Sequence, residues 1–412
     1  MIQITDKSLC CGCAACVQKC PKQCITLHED HEGFLYPKVD TDTCINCGLC
    51  EKVCPVLKEG DKRAPLKVYA AINKNEKKRL ESSSGGIFTL LAEQTLREDG
   101  VVFGARFDSN WQVCLDYTET TEGVTAFRGS KYVQARTGNC YRQAECFLKE
   151  GRKVLFTGTP CQIAGLKKFL RKEYDNLLAV DFVCHGVPSP KVWRRYLQEI
   201  LASKGEKNTV SFSPNSSSFS EGYAPISGIS FRNKALGWKK YSFVLRRNLA
   251  EATADGEQNS VSFSIMHKEN TFMRLFLSDV ILRPSCYQCH CKEGKSGADI
   301  TIADFWGIEN IAPEMDDDKG TSLVIIQSEK GKQTFSLLDV IKKEQTYEEA
   351  LRCNGAIKSA CKPHPKREIF WEMVDEQNLD GLCNRLLKDS YKVRMKRKIK
   401  WIIHRVIRLI RL

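Results

Sequence analysis

The sequence has no run of eighteen apolar residues among its 412, so we expect no segment to cross a membrane as a helix. Its opening residues, MIQITDKSLCCGC, lack the charged start and apolar run of a signal peptide. Acidic residues are absent from Lys392 to Arg411, where nine Lys and Arg supply most of the net charge of +13. The rest of the chain is close to neutral, which argues against a broad nucleic-acid surface. We therefore expect a cytoplasmic protein that binds no nucleic acid.

Cysteine, by contrast, is abundant, with 21 residues, and without a signal peptide this indicates metal or redox chemistry rather than disulfides. Residues 10–21 read CCGCAACVQKCP and residues 44–55 read CINCGLCEKVCP. Both fit C-x2-C-x2-C-x3-C-P, the spacing of bacterial two-cluster ferredoxins. Structural zinc is the alternative for any CxxC pair, but two complete copies with both prolines favour [4Fe-4S] clusters.

In this spacing, three cysteines two residues apart wrap one cluster, and the fourth, before the proline, reaches the other. The two predicted ligand sets are Cys10, Cys13, Cys16 and Cys54 for the first cluster and Cys20, Cys44, Cys47 and Cys50 for the second. Cys11 and Cys24 are left over and are interpreted as small buried residues. Such a module carries electrons, so we expect the chemistry to lie further along the chain.

Beyond this module, strands and helices alternate, which indicates an α/β core with a mixed sheet. Residues 205–262 are polar and strand-like and predict a β-rich insertion. Cys161 stands where a helix should begin, Cys184 ends a predicted strand, and Cys286 and Cys289 lie in RPSCYQCHC before another. These positions can converge at the carboxyl edge of an α/β sheet, so four thiolates there would form a third [4Fe-4S] site.

Six motifs in order resemble the beta-subunit family of coenzyme F-420 hydrogenases and dehydrogenases: SSSGGIFTLLAEQTL, GSKYVQA, GTPCQIAGLKKFL, DFVCHGVPSP, CYQC and ADITIADFWG. The resemblance covers about residues 1–330 and implies a flavoprotein that binds FAD and a [4Fe-4S] cluster. It also implies that Cys161, Cys184, Cys286 and Cys289 are the ligands, with Cys291 the weaker candidate. Ala303 stands where the family usually has glycine, and no feature identifies a deazaflavin pocket.

The fold class expected is α+β: a bacterial-type dicluster ferredoxin, then an α/β flavin and iron–sulfur domain with a β-rich insertion. The predicted domains are a two-[4Fe-4S] ferredoxin at 1–59, a linker at 60–68, an FAD/[4Fe-4S] oxidoreductase domain at 69–330, a helical extension at 331–389 and a basic amphipathic helix at 390–412.

The flavin pyrophosphate needs backbone N–H groups, which helix starts provide. Two starts are candidates, SSSGG and TGTPCQ, and RGSKYVQ offers further phosphate and ring contacts. An ordinary capped helix or turn is the alternative at each of them. The predicted flavin contacts are Ser83, Ser84, Gly85, Gly86, Ser130, Lys131, Tyr132, Gln134, Thr157, Gly158, Thr159 and Gln162.

His185 and Asp304 lie beside the proposed site, and either is a candidate proton donor to a substrate. The alternative is that each hydrogen-bonds the backbone or the cluster surroundings. In the tail, an apolar stripe from Ile399 to Ile410 opposes a basic stripe, which suits a helix lying on anionic lipid. Docking of the same helix on protein is the alternative. Attachment would place the chain peripherally on the inner face of the cell membrane.

The function expected is an iron–sulfur flavoprotein oxidoreductase. Electrons from ferredoxin or another low-potential donor would pass through three [4Fe-4S] clusters to FAD and then to an organic substrate. That substrate could belong to surface glycan or lipid-linked precursor metabolism. The alternatives are a coenzyme F-420 oxidoreductase and an electron-transfer subunit of a larger complex.

Overall fold

A computed structural model describes residues 1–202, 226–252 and 258–388 of the chain. The strands are β1 (Ile25–Glu29), β2 (Leu35–Val39), β3 (Lys67–Asn73), β4 (Val101–Phe107), β5 (Val113–Thr118), β6 (Val154–Gly158), β7 (Leu177–Phe182), β8 (Ile226–Asn233), β9 (Ser242–Ala252), β10 (Gln258–Met266), β11 (Ile300–Asp304), β12 (Ser322–Ile326) and β13 (Val340–Gln345). The helices are α1 (Ala15–Lys19), α2 (Leu49–Lys52), α3 (Glu76–Glu81), α4 (Ile87–Arg97), α5 (Val124–Phe127), α6 (Cys140–Lys149), α7 (Pro160–Leu170), α8 (Pro190–Ala202), α9 (Thr271–Leu277), α10 (Glu329–Ser336), α11 (Tyr347–Cys353), α12 (Arg367–Met373) and α13 (Leu379–Leu387).

The N-terminal module is small because it has little apolar sequence to bury. Strands β1 and β2 form an antiparallel hairpin, with Ile25 opposite Val39. The short helices α1 and α2 each follow a residue in the left-handed region, Ala14 and Gly48, which turns the chain after a cysteine loop. The buried residues of this module include Cys16, Cys20, Cys50 and Cys54, so sulfur atoms take the place of a larger hydrophobic core.

An eight-stranded mixed sheet forms the centre of the chain, in the order β13-β3-β12-β11-β7-β6-β4-β5. The four strands β11, β7, β6 and β4 are parallel to one another. Their sequences, such as VVFGARF and LLAVDF, are nearly continuous apolar runs, as expected for strands covered on both faces. Antiparallel strands β5, β12, β3 and β13 extend the sheet on its two sides. The predicted α+β fold class is confirmed.

The polar stretch predicted to be β-rich forms a separate antiparallel sheet of β8, β9 and β10. Its apolar side chains are covered by α8 and α9. Trp193 of α8 packs against Phe231 at a ring-centroid distance of 5.0 Å and against Phe272 at 5.1 Å. This aromatic packing fixes the end of β8 against the main sheet. The Ser-rich loop predicted within this region lies outside the described residues.

The extension predicted to be helical at 331–389 contains α11, α12 and α13, but it also contains strand β13. This strand pairs with β3 in antiparallel register, with Val340 opposite Asn73, and forms one edge of the main sheet. Four of its six residues are exposed and three of these are charged, as is common in edge strands. Such a short, polar strand has little apolar periodicity, which explains why the prediction missed it.

Within the described ranges, no helix has both the length and the apolar character needed to cross a membrane. The basic amphipathic helix predicted at 390–412 lies outside the described residues. The predicted domain boundaries at 59, 68 and 330 remain predictions.

Candidate functional site

The carboxyl ends of the parallel strands gather the predicted site residues at one edge of the main sheet. Thr159 to Cys161 follow β6, Cys184 follows β7, and Asp304 ends β11. Strand β3 runs in the same direction as β11, since both are antiparallel to β12. The SSSGG segment after β3 therefore reaches the same edge. This is where open α/β sheets place their ligands.

Cys161 lies in the first turn of α7, and the residues before it form a capping box. The Thr159 hydroxyl accepts a hydrogen bond from the backbone N–H of Gln162, and the Gln162 side chain accepts one from the N–H of Thr159. The Thr159 hydroxyl also lies 3.1 Å from Cys161 Sγ. Thr159 and Gln162 thus position the cysteine by capping the helix, which is the alternative to their predicted flavin contact.

Four thiols, those of Cys161, Cys184, Cys286 and Cys289, form a third thiol site at this edge. All six pairs among them are close enough for the charge of one to raise the pKa of another. The backbone N–H of Val187 points at Cys286 Sγ from 3.4 Å, a donor that suits a thiolate. Burial raises the pKa of Cys184 to about 12, so only a bound cation would keep this thiol ionised.

Four thiols at one sheet edge are the soft donors that iron–sulfur clusters take. A [4Fe-4S] cluster binds each thiolate to a different iron, so its ligands surround a group larger than a single ion. The residues therefore fit the predicted cluster. Cys291 is buried next to Cys161 and Cys289, and it stays a weaker candidate ligand.

The ferredoxin cysteines lie in two adjoining groups, and Cys50 of the second lies near Cys16 and Cys54 of the first. In the first thiol site, Cys16 lies near Cys10 and Cys54, and Cys13 lies near Cys16 and Cys54. In the second thiol site, Cys20, Cys44, Cys47 and Cys50 line one cavity together with Cys24, whose Sγ lies 3.4 Å from Cys20 Sγ. The cavity is rimmed by Ile45, which is 57% exposed, and by the exposed Cys47. The second thiol site therefore opens to solvent.

The SSSGG segment meets the GSKY segment at the sheet edge. Ser83 Oγ accepts hydrogen bonds from the backbone N–H and the hydroxyl of Ser130, at 2.7 and 2.8 Å. Ser84 and Gly85 are instead tied to β12: the Ser84 hydroxyl donates to Thr321 O, and the Gly85 N–H donates to Ser322 Oγ. A Cβ at Gly85 would lie 2.3 Å from Ala71 O, so this glycine is required by packing on the sheet. Gly86 precedes α4 with φ +84°.

The remaining predicted flavin contacts have protein partners. The Lys131 ammonium donates to the carbonyls of Ala126, Arg128 and Gly129, at the end of α5. The Gln134 amide binds Cys11 O and the Arg283 guanidinium at the ferredoxin boundary. The Thr157 hydroxyl donates to Phe103 O, and Gly158 ends β6. Of this group, Tyr132 lies nearest to the ionic residues described next.

Asp304 is held by an ion pair rather than standing free as a proton donor. Its carboxylate accepts from Arg232 Nη1 and, at 3.0 Å, from the indole N–H of Trp238. His185 is likewise engaged, with Nε2 2.5 Å from Asp279 Oδ1 and its ring edge-on to Phe276. Both predicted catalytic residues thus have side-chain partners rather than the backbone or cluster partners of the alternative interpretation, and their role as proton donors stays a prediction.

Arg232 was missed by sequence analysis because a single arginine in a polar strand is usually solvent-exposed. Its side chain is only 3% exposed, and its guanidinium lies over the rings of Tyr241 and Trp306, at 4.6 and 5.2 Å. Its Nε and Nη2 make no hydrogen bond within the described part of the chain. Buried donors without partners are costly, and the Tyr132 phenol, whose pKa Arg232 lowers against the effect of burial, is the protein group that lies against this guanidinium.

Lys234, two residues after Arg232 in the chain, joins these charged residues to the SSSGG segment, which we call the serine loop. Its ammonium donates to the carbonyls of Arg79, Ser84 and Lys319. Burial lowers the pKa of Lys234 to about 7, against the ordinary value of 10.5. We call Arg232, Lys234, Asp304 and Tyr132 the ionic site. Strands β11 and β7 are neighbours, so the ionic site lies beside the third thiol site.

Comparison with known proteins finds matches for both parts of the chain. Residues 151–350 match the family model for the C terminus of the coenzyme F420 hydrogenase/dehydrogenase beta subunit, and residues 9–57 match a 4Fe-4S dicluster domain. The chain is similar to the coenzyme F420-dependent sulfite reductase of Methanocaldococcus jannaschii, at 28% identity over 40% of this chain and 26% of that protein. It is also similar to a subunit of the F420H2 dehydrogenase of Methanosarcina mazei, at 23% identity over 44% and 55%.

The N-terminal module alone is 51% identical to a 7Fe ferredoxin of Hydrogenibacillus schlegelii, over 10% of this chain and 49% of that one. The chain therefore spans about half or less of the length of these curated relatives. Among solved structures, the F420-reducing [NiFe] hydrogenase complex from Methanosarcina barkeri aligns with 79% of this chain and 92% of its own chain, at 17% identity and a TM-score of 0.40.

Proposed function

Since the chain joins a 4Fe-4S dicluster domain to a domain of the coenzyme F420 hydrogenase/dehydrogenase beta-subunit family, we propose a specific route for its electrons. The protein is an iron–sulfur electron-transfer oxidoreductase. Electrons from ferredoxin or another low-potential donor enter at the two N-terminal clusters. They pass a third [4Fe-4S] cluster at Cys161, Cys184, Cys286 and Cys289, reach FAD, and reduce an organic acceptor.

The observation that supports this route most directly is the convergence of four thiols from distant segments next to the first thiol site. Cys161 and Cys289 come from positions 128 residues apart, yet they share one site with Cys184 and Cys286. Cys11, between two ferredoxin ligands in sequence, lies against Cys161. A structural role would not require thiols of two domains to meet at a sheet edge.

The ionic site and the serine loop are the places where the chain could hold the flavin. FAD, when bound, exchanges electron pairs with an organic compound and single electrons with clusters. Arg232 offers two unpartnered donors and a positive charge, which suit a ring carbonyl or an anion. Ser83 and Ser130, whose hydroxyls are hydrogen-bonded to each other at the same sheet edge, are further candidates for flavin contacts. Tyr132 adds a phenol whose pKa is raised by burial.

Two alternatives remain, each favoured by a similar protein. A coenzyme F420-dependent sulfite reductase and a subunit of an F420H2 dehydrogenase are among the relatives, so the acceptor could be a deazaflavin. The second relative is one part of an assembly, which favours a role as the electron-transfer part of a complex. A flavin that reoxidises with small organic acceptors supports the enzyme, whereas one that reoxidises only with a partner protein supports the electron-transfer role.

We also propose a place in the cell for the leading function. The basic segment 390–412 would bind anionic lipid and hold a cytoplasmic protein on the inner face of the membrane, near a glycan or lipid-linked substrate. Co-sedimentation with anionic liposomes tests this, since removing 390–412 should abolish pelleting. Equal pelleting of the two forms would contradict it.

Anaerobic purification with iron, flavin and spectral analysis tests the main proposal. We expect about twelve iron atoms, four for each of three clusters, and one flavin per chain. The spectrum should combine the broad absorption of iron–sulfur clusters with the bands of a bound flavin. About eight iron atoms and no flavin would show that the chain is only a ferredoxin module joined to an inert domain.

A further inference from the structure

Arg283 lies in the chain just before the turn Pro284–Gln288 that carries Cys286. Its side chain is fully buried, with 0% exposure. A charged side chain is seldom buried without a carboxylate partner, because desolvation is costly. In the described part of the chain, no carboxylate forms an ion pair with Arg283. Something else must compensate the buried charge.

The partners of this guanidinium belong mainly to the ferredoxin module. Arg283 Nε donates to Cys10 O at 2.7 Å, and Nη2 donates to Leu35 O at 2.9 Å and points at Cys10 Sγ from 3.6 Å. The guanidinium also lies 4.3 Å from the ring centroid of Tyr36. Nη1 donates to Gln134 Oε1 at 2.9 Å. A residue of the sheet domain is therefore anchored on the first cysteine of the first thiol site.

The ferredoxin loop is shaped around this side chain. Gly12 has φ +72°, and a Cβ there would lie 2.8 Å from Arg283 Nη1 and 2.7 Å from Gln134 Nε2. Helix α7 makes an equally close approach, since a Cβ at Gly165 would lie 2.9 Å from the Cβ of Cys13. Gly165 is one helical turn after Cys161. The first and third thiol sites are thus packed against each other, with Cys11 between them.

We propose that Arg283 is a positioning residue that seats the first ferredoxin cluster against the third site and raises the reduction potential of that first cluster. Reduction adds a negative charge to the cluster, and a fixed positive charge beside Cys10 stabilises the reduced form. Cations also lie near the second thiol site, namely the Met1 ammonium and Lys22, but both are accessible to solvent and the ammonium is paired with the Glu51 carboxylate at 3.1 Å. Neither is a buried charge without a carboxylate partner, as Arg283 is. Electrons that enter at the exposed second site are then drawn toward the first cluster, which faces the third.

This inference rests on the proposed clusters, and its test separates the two claims. Iron analysis of the full chain decides first whether the ferredoxin clusters are present. Anaerobic redox titration followed by electron paramagnetic resonance then gives a reduction wave for each cluster. Cys47→Ser, at the exposed ligand of the second site, should move one ferredoxin wave and so assigns it.

Arg283→Gln removes the charge and keeps a polar side chain. At a fixed applied potential, we expect the ratio of oxidised to reduced first cluster to rise about tenfold, which is about 59 mV for one electron. The wave of the second cluster should stay in place. Arg283→Lys keeps the charge and should shift the first wave by less than half as much.

Arg367 supplies the matched control because it is a second arginine that crosses the same boundary. Its guanidinium forms a two-pronged ion pair with Glu32 of the ferredoxin module, and none of its hydrogen bonds among the described residues is to a cysteine. Arg367→Gln should leave the first wave unchanged. An unshifted first wave in Arg283→Gln with full iron content, or an equal shift in Arg367→Gln, would overturn the inference. If Arg283→Gln loses iron, the Arg283→Lys titration decides, and a lysine variant shifted by tenfold or more would overturn it.

Discussion

The third thiol site and the ionic site lie side by side on one sheet edge, yet one consists of thiols and the other of charged side chains. The third thiol site contains cysteines from three separate segments, and backbone N–H groups such as that of Val187 donate hydrogen bonds to their sulfur atoms. The ionic site collects charge, and Arg232 keeps two buried donors without partners. A soft, sulfur-rich pocket suits iron, whereas a cationic pocket with open donors suits an anionic or carbonyl-bearing organic group.

Two buried carboxylates show the same contrast. Asp304, at the end of β11, is paired with Arg232 and Trp238. Asp181, on the neighbouring strand β7, has no cationic partner among the described residues; it accepts from its own backbone N–H and from the hydroxyls of Ser296 and Thr301, at 2.6 and 2.5 Å. One edge therefore holds a compensated charge beside an uncompensated one. The fold brings the ends of β7 and β11 side by side. The side chains at each strand end then determine whether that part of the edge suits a metal cluster or an organic group.

The largest effect should follow from Cys161→Ala. Removing one of four ligands should cost the third cluster, so iron should fall from about twelve to about eight atoms per chain. The ferredoxin signals should persist, since the first and second thiol sites keep all their cysteines. Flavin bound at the ionic site should remain but should no longer be reduced by the ferredoxin clusters.

Cys383→Ala is the matched control for this variant. Cys383 is a fully buried cysteine, whereas Cys161 is partly buried, and Cys383 lies in α13 with its Sγ facing Thr271 O. Its removal should leave iron content unchanged. If Cys161→Ala retained about twelve iron atoms, Cys161 would not be a ligand, and Cys291 would become the first replacement to test.

A smaller effect should follow from Arg232→Gln. A hydrogen bond to a charged donor contributes about 1.5–3 kcal/mol, so losing it should weaken flavin binding by tenfold or more. Flavin content after gel filtration and the flavin dissociation constant by fluorescence measure this. Arg232→Lys keeps the positive charge but loses the planar array of guanidinium donors, so its flavin affinity should fall between those of wild type and Arg232→Gln. Iron content serves as the control and should not change, because Arg232 is not part of the third thiol site. Normal flavin affinity in Arg232→Gln would separate the ionic site from the flavin.

Much of this edge could be predicted from sequence because its chemistry is local. The two C-x2-C-x2-C-x3-C-P runs give the ferredoxin sets by spacing alone. Cys161 and Cys184 could be placed because each adjoins an apolar run that must be a buried strand, and parallel strands bring their carboxyl ends together. Gly165 also leaves a sequence signal, since a glycine inside a helical pattern usually has a packing reason.

The charged residues could not be predicted, because their burial depends on partners far along the chain. Arg283 contacts Cys10, 273 residues away, and Arg232 contacts Asp304, 72 residues away. Neither arginine stands in a pattern that distinguishes it from a surface residue. Gln134 shows the same limit, since its motif suggested a cofactor contact and its amide binds the ferredoxin boundary instead. A charged residue buried by tertiary contacts leaves no periodic pattern in the sequence from which its burial could be predicted.

The smallest effect concerns Asp181, whose pKa burial raises to about 6. The unfolded chain has an ordinary aspartate pKa near 3.9, so the folded chain binds more protons between about pH 4 and pH 6. Its stability must therefore fall as pH rises through that window. Asp181→Asn does not titrate, so wild type should lose about 1 kcal/mol relative to the variant between pH 5 and pH 7. Anaerobic melting temperatures should diverge by about one degree over this range. Asp339→Asn, at an exposed carboxylate, should run parallel to wild type. If Asp181→Asn also ran parallel, a cation near Asp181 would have to compensate its charge as Arg232 compensates Asp304, and the contrast between the two carboxylates would be lost.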